Sequence, residues 1–171
     1  MGNNSINTNS IAFIGLCNEY CMTVENARES ERTGFIATML RLLPRIYIAA
    51  SDLRIDPSDN EEPYVDNVLD EDYYESLRLS MESLMGEDDV YLEVFEEDMK
   101  YSDTPVAASI SEGLADIFQP LYNFLNTIRE ATDETIELAL LGIKDDFRAY
   151  WSAKLCNVMR ALNHIKMNEQ E

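Results

Sequence analysis

Apolar residues recur at the spacing of an amphipathic helix along most of this chain. Each helical residue turns the chain by about 100°, so apolar side chains within one arc predict a helix with one buried face. Phe35, Met39, Leu42 and Ile46 share such an arc, and Leu40 lies off it, which indicates a helix covered on more than one side. The pattern predicts five helices, over residues 10–27, 31–53, 70–86, 105–128 and 132–167.

Proline and glycine are expected to disturb three of these helices. Pro44 lies inside the second helix and Pro120 inside the fourth. An internal proline removes one backbone hydrogen bond and crowds the preceding turn, so we expect both helices to be kinked or broken there. Gly142 is a candidate bend in the last helix.

The segments between the helices are less regular. Residues 54–69 contain two prolines and a cluster of acids, so they are predicted to form an acidic loop. Residues 87–104 leave two alternatives open, a short strand or a turn of helix, because apolar and polar residues alternate over part of the segment. Thr104 followed by Pro105 resembles an N-cap with proline at the first helical position, which predicts that the fourth helix begins there.

These elements together predict an all-α fold. The 171 residues are enough for one domain with a substantial core, and 46% apolar residues is ordinary for a globular protein. We expect residues 1–171 to form a single irregular bundle of about five helices. Residues 1–9 are polar and are expected to be flexible.

The charge of the chain is large and unevenly distributed. The formal net charge is −20, and residues 52–103 hold 19 acidic residues against three basic ones. Residues 1–51 hold four of each sign. Such a field repels phosphate backbones and anionic lipid surfaces, so we expect no direct nucleic-acid binding and no membrane binding.

The cysteines and the first residues bear on the compartment. Three cysteines form an odd and sparse set, which favours reduced thiols over a disulfide framework. The first ten residues lack the basic and apolar regions of a signal peptide, and no apolar run approaches the roughly 20 residues that cross a bilayer. A cytoplasmic location is therefore expected.

The motifs of common metal and catalytic sites are not matched. The loop Asp56–Glu62 alternates oxygen side chains as a calcium loop does, but Glu61 stands where an EF-hand needs glycine and Asn67 where it needs glutamate. The ferritin-like di-metal pattern needs Glu-x-x-His on two helices, and the only histidine, His164, follows Ala161 at that spacing. We expect no catalytic, cofactor or metal site, and favour a non-enzyme over an enzyme.

Two further groups of residues have both a functional and a structural interpretation. Cys17 and Cys21 lie one helical turn apart on an apolar face and could begin a zinc site, but packing as small hydrophobic residues is favoured. Tyrosines among the acids, such as Tyr91, could form a protein-binding surface. The favoured alternative is that their rings cover the core while their hydroxyls reach water.

Several short stretches share a pattern with a known family: Leu43-Pro44 with Tyr47, Gly86 with Asp89, Tyr91 and Phe95, Leu114-Ala115-Asp116-Ile117, Trp151, and Arg160-Ala161-Leu162. They resemble an uncharacterised bacterial family, domain of unknown function 5063. The family pattern has histidines flanking the tryptophan and ending the Arg-Ala-Leu run. Here those places hold Tyr150, Lys154 and Asn163, with His164 one position later, so a role of those histidines does not transfer. The resemblance implies a helical, cytoplasmic domain and supplies no activity.

Two functions remain open from the sequence. The first is a non-enzymatic interaction module whose acidic segment binds a basic protein partner, and its extreme form is a mimic of DNA. The second is an enzyme or small-molecule binder with its pocket between the last two helices. The sequence leaves the oligomeric state open.

Lys154 departs from the pattern of its own helix, because it falls inside the apolar arc. The favoured interpretation is that its stem lies along the core edge and its ammonium reaches water. The alternative is an ammonium held between helices by a carboxylate, with Asp116 the first candidate and Asp146 the weaker one. The candidate polar or partner site accordingly consists of Lys154, Asp116, Trp151 and Tyr91.

Overall fold

A computed structural model describes residues 6–55, 62–93 and 106–169. It is an all-α fold with one small ribbon of two strands, as the sequence predicted for the class. The elements in chain order are α1 (Thr8–Glu25), α2 (Arg32–Ser51), α3 (Glu71–Met85), β1 (Val90–Leu92), β2 (Ala107–Ser109), α4 (Ile110–Ile128), α5 (Asp133–Asp146) and α6 (Ser152–Asn168). Short 3₁₀ turns follow α1 and α3, and a π turn at Phe147–Trp151 joins α5 to α6 without a break. Because α5, the π turn and α6 form one continuous helix, the described residues contain five separate helices.

Polar side chains fix where four of the helices begin. Asn7 accepts a hydrogen bond from Ser10 N at 3.0 Å and caps α1. Asp70, Ser109 and Thr132 cap α3, α4 and α5 in the same way. Each cap satisfies a backbone N–H that has no partner inside the helix.

Helix α4 lies at the centre of the bundle and packs against α1, α3, α5 and α6. Leu114, Ile117 and Phe118 on this helix are fully buried. A Cβ added at Gly113 would lie 2.4 Å from Val158 Cγ2, so glycine is what allows α4 and α6 to approach this closely. Tyr20 OH donates to Leu114 O at 2.6 Å and ties α1 to the same helix.

Two helix starts were predicted wrongly. Helix α1 already begins at Thr8, because Asn7 supplies the cap, so the predicted flexible segment 1–9 is too long. Helix α4 begins at Ile110, because residues 107–109 pair with β1 in an antiparallel ribbon, with Tyr91 opposite Ala108. The predicted cap, Thr104 with Pro105, lies outside the described residues.

The two internal prolines do not break their helices. Helix α2 continues through Pro44 and α4 through Pro120. Buried neighbours, such as Leu43 and Leu121, hold each helix against the bundle on both sides of its proline. The packing of the helix face therefore outweighs the single hydrogen bond that a proline removes.

Gly142 lies inside the uninterrupted helix α5 and permits a close approach of residues 63–65. Helix α5 passes through it as regular α-helix, and an added Cβ would lie 2.9 Å from Val65 Cγ2. Residues 62–69, the described part of the predicted acidic loop, form neither helix nor strand. Asn123 Oδ1 accepts from the backbone N–H groups of Val68 and Leu69, at 3.0 and 2.8 Å, and holds this segment on α4.

Among the described residues, no helix combines the length and the apolar character needed to span a bilayer.

Candidate functional site

The π turn at Phe147–Trp151 sets the direction of the side chains that follow it. A π turn adds a residue to a helical turn, so it rotates everything beyond it relative to a regular α-helix. The rings of Phe147 and Trp151 meet with their centroids 4.6 Å apart, and Trp151 is fully buried. Trp151 thus anchors the turn in the core. Its indole Nε1 has no hydrogen-bond partner among the described residues.

Asp116 on α4 is the centre of a polar cluster. Lys154 Nζ lies 3.4 Å from Asp116 Oδ2, and Tyr74 OH donates to Asp116 Oδ1 at 2.5 Å. The Lys154 ammonium also lies 5.8 Å from the centre of the Tyr150 ring. The structure therefore contains the pair between Lys154 and Asp116 that the sequence offered as the alternative to a solvated lysine. Its function stays a prediction.

The electrostatics of this cluster keep its donors protonated. Partial burial lowers the pKa of Lys154, but the neighbouring Tyr150 and Asp116 outweigh it, and the net effect raises that pKa. Burial, followed by the hydrogen bond to Asp116, raises the pKa of Tyr74 well above its ordinary value. Burial and Asp116 also raise the pKa of Tyr150. At neutral pH all three groups are donors.

A cavity of about 250 Å³ opens on the Lys154 side of this cluster. It lies between β2, the first turn of α4 and α6, and Tyr91, Glu93, Glu112 and Lys154 line it. Glu93 is buried, with 6% of its surface exposed, and its Oε1 accepts from Tyr91 OH at 3.2 Å and Asn157 Nδ2 at 3.3 Å. The cavity thus combines one ammonium with two carboxylates.

A second cavity of about 250 Å³ lies on the other side of Asp116, at the start of α3. Asp70, Glu71, Tyr74 and Asp116 line it together with Leu69 and Gln119. Asp70 and Glu71 are exposed, while the Asp116 side chain is 15% exposed. This cavity presents carboxylates beside an aromatic ring and has no basic side chain in its lining.

Asp89 holds the ribbon against α4. This buried carboxylate accepts from Ser111 N at 2.8 Å and from the hydroxyls of Ser109 and Ser111, each at 2.7 Å. It therefore positions β2, which forms one wall of the first cavity. Sequence reasoning assigned no role to Asp89 or Glu93. The alternation of Val90, Leu92 and their neighbours was the available signal, because a strand places Tyr91 and Glu93 on one side.

The sequence-predicted site residues do not all meet. Lys154 and Asp116 are in contact, and Tyr91 lines the same cavity as Lys154. Trp151 is buried beside Phe147 and does not line this cavity. Asp146, the weaker candidate partner, forms no ion pair with Lys154 in the described structure.

The cysteines and the histidine do not assemble into a site in the described residues. Cys17 and Cys21 are buried in the apolar core, and burial raises the pKa of both thiols. His164 is exposed and lies beside Asn168. Within residues 6–55, 62–93 and 106–169 no group of three or more His, Cys, Asp or Glu side chains is placed to hold a metal ion. The loop Asp56–Glu62, which matches the calcium-loop pattern only in part, lies outside the described residues except for Glu62.

Comparison with known proteins gives a family and a structural relative. The model of the family described as "Domain of unknown function (DUF5063)" matches residues 4–168. A crystal structure of protein BF1032 from Bacteroides fragilis, a target of the Northeast Structural Genomics Consortium, superposes with a TM-score of 0.83 at 29% sequence identity, covering 98% of each chain. No curated protein matches this chain.

Proposed function

The chain belongs to the DUF5063 family, which supplies no activity. We propose, from the charges and cavities of its surface, that it is a non-catalytic binding domain for a basic protein partner. The supporting observation is the surface charge of residues 62–93. Nine of the eleven carboxylates in this segment are exposed, and the segment contains one basic residue, Arg78.

Internal ion pairs neutralise only part of this acidic surface. Arg78 pairs with Glu75 and Glu82, at 2.5 and 3.1 Å, and Arg32 pairs with Asp88. Six exposed carboxylates of the segment lie outside the ion pairs of the described residues: Glu62, Asp66, Asp70, Glu71, Asp72 and Glu87. Uncompensated carboxylates raise the local concentration of cationic ligands and speed their association.

The cavity at the start of α3 is the proposed centre of the contact. It is lined by carboxylates, by the Tyr74 ring and by Leu69, which suits the ammonium or guanidinium end of a lysine or arginine side chain. Asp116 is already held by Tyr74 and Lys154. The incoming cation would therefore contact Asp70 and Glu71, and Asp116 would keep the wall of the cavity in place.

The experiment compares two variants with the same change in net charge. One carries Asp70→Asn, Glu71→Gln and Asp72→Asn, where asparagine at position 70 preserves the helix cap. The control carries Asp133→Asn and Glu134→Gln, exposed at the start of α5, together with exposed Asp145→Asn.

Each variant and the wild type are immobilised and used to capture proteins from an extract of the source organism. We expect a basic protein to be retained by the wild type and the α5 control and lost from the α3 variant. Equal retention by all three, or retention of acidic proteins only, would refute the proposal.

The alternative function is a small-molecule binder or enzyme using the cavity beside Lys154. The supporting observation is the cavity itself, which opens between β2, α4 and α6. Acid–base catalysis near neutral pH needs a group with a pKa in that range. The pKa of Lys154, the ammonium of this cavity, is instead raised away from that range by its neighbours Tyr150 and Asp116, which disfavours this lysine as the acid–base group.

A thermal-shift screen of small amines and carboxylic acids tests the alternative. A compound that stabilises the wild type but not Lys154→Met would support a ligand site in this cavity.

We also propose a cytoplasmic location, supported by three free cysteines, one of which, Cys156, is exposed.

A further inference from the structure

The outer surface of α1 and α2 differs in charge from the rest of the chain. Residues 1–51 contain four acidic and four basic residues, while the whole chain carries −20. Two copies of such an acidic chain repel each other over most of their surfaces. A contact between copies is therefore least opposed on the outer surface of these two helices, which we call the α1–α2 face.

The shape of the α1–α2 face suits a docked helix. A groove of about 520 Å³ runs between the two helices, with Phe35 and Leu42 buried at its floor and Met22 at its edge. Met22 is 60% exposed. Ile11 and Ile48, also about 60% exposed, are near the start of α1 and the end of α2, respectively. An apolar groove floor with an exposed methionine at its edge is typical of a protein contact.

At two positions inside these helices, nothing within one copy of the chain requires glycine. Gly15 in α1 and Gly34 in α2 are exposed, and a Cβ added at either would meet nothing within 4 Å. Glycine weakens a helix relative to alanine, so its presence at an exposed position calls for another cause. The absence of a side chain allows a second backbone to approach closely. Gly34 borders the groove itself.

On this face two glutamates lie near the turn between the helices, and two arginines lie further along α2. Glu19 and Glu31 border the groove near the turn that joins α1 to α2. Arg41 and Arg45 lie further along α2, are exposed, and belong to no ion pair of the described residues. In an antiparallel arrangement related by a two-fold axis, the arginines of one copy face the glutamates of the other, twice over.

We propose that the α1–α2 face binds a second copy of this chain in an antiparallel, two-fold symmetric dimer. The 20 residues of α2 extend for about 30 Å, and two helices side by side are roughly 20 Å wide. The buried area is then on the order of 1,200 Å² in total, at the lower limit of specific interfaces. A reversible dimer is the expected result.

Sedimentation equilibrium over a range of protein concentrations tests this dimer. The wild type should show a monomer–dimer equilibrium, and Met22→Lys and Gly34→Gln should each raise the dissociation constant at least about tenfold. Gly34→Gln should also raise the thermal midpoint of the monomer, because glutamine is the better helix former. Met167→Lys, a matched change at an exposed methionine of α6, should leave the dimer unchanged.

Charge reversal tests the antiparallel arrangement. Glu31→Arg and Arg45→Glu should each weaken the dimer, and the two changes combined should restore it, because complementary ends again meet. A wild type that stays monomeric at every concentration would overturn the proposal. So would a dimer that is unaffected by Gly34→Gln, or a double reversal as weak as the single ones.

Discussion

The ion pair between Lys154 and Asp116 makes the most specific prediction about stability. Lys154→Met leaves the Asp116 carboxylate, 15% exposed, without its cation, and Asp116→Asn leaves the ammonium without its anion. The double variant removes both charges. We therefore expect the double change to cost less unfolding free energy than the sum of the two single changes.

The distance sets the size of the coupling. Two unit charges 3.4 Å apart attract by roughly 1 kcal/mol in water and roughly 5 kcal/mol at an effective dielectric constant of about 20. The Lys154 side chain is 35% exposed, so solvent screening brings the expected coupling close to the lower value, about 1 to 2 kcal/mol.

A double-mutant cycle measured by urea unfolding with circular dichroism gives this coupling directly. The wild type, both single variants and the double variant are compared in the same buffer. Tyr74→Phe serves as a reference, because it removes a hydrogen bond to the same carboxylate without removing a charge. A coupling of zero, with both single variants as stable as the wild type, would refute the argument and leave Lys154 a solvated surface lysine.

Four variants probe the rest of the structure. Gly113→Ala should cost about 1 to 3 kcal/mol of unfolding free energy, because the added carbon meets Val158 Cγ2. Gly15→Ala, with open space around it within one copy, should raise the unfolding free energy of the monomer by about 0.5 to 1 kcal/mol. Chemical denaturation of both variants at a protein concentration that keeps the chain monomeric checks this. Asp89→Ala leaves buried donors without an acceptor and should cost about 2 to 3 kcal/mol in the same assay, and an unchanged stability would contradict the role given to Asp89. The raised pKa of Tyr74 means that the folded state keeps this proton longer than the unfolded state, so its contribution to stability is complete below about pH 10 and is lost as the pH rises further. Above about pH 10, the thermal midpoint should fall less steeply with rising pH for Tyr74→Phe than for the wild type. Equal slopes of midpoint against pH would show that Tyr74 is not involved.

The sequence predicts the number of helices well because each has a long apolar stripe. It fails where a contact between distant residues decides the local structure. Nothing near Ala107 signals a strand, because β2 exists through its pairing with β1 and through Asp89. The predicted start of α4 was wrong for this reason.

The π turn explains why the buried face of the last helix was predicted only in part. At about 100° per residue, Leu155 falls near 120° from Ile143 and outside the predicted apolar arc, yet it is fully buried. Ile143, Phe147, Trp151 and Leu155 are buried at a constant spacing of four, which drifts around a regular α-helix but fits a helix with one extra residue. That spacing is the signal from which the π turn could have been predicted.

The polar cluster was predicted in part. The sequence favoured a solvated Lys154 and offered a carboxylate on a neighbouring helix, Asp116 first, as the alternative. In the structure Asp116 is in contact with Lys154. Tyr74 belongs to a helix 42 residues away in sequence from Asp116, and Glu93 reaches Asn157 across 64 residues. Such pairs depend on the packing of the bundle, so no local pattern identifies them.

The most direct test of the central claim is the salt dependence of binding to the captured basic partner. Calorimetric titrations of the wild type, the α3 variant and the α5 control are made at low and high salt, because the screening length falls from about 10 Å at 0.1 M to about 3 Å at 1 M. We predict that the wild type and the α5 control lose at least about tenfold in affinity over this interval, and that the α3 variant binds weakly at both concentrations. An affinity that is independent of salt, or an α3 variant that binds as tightly as the wild type, would contradict the account.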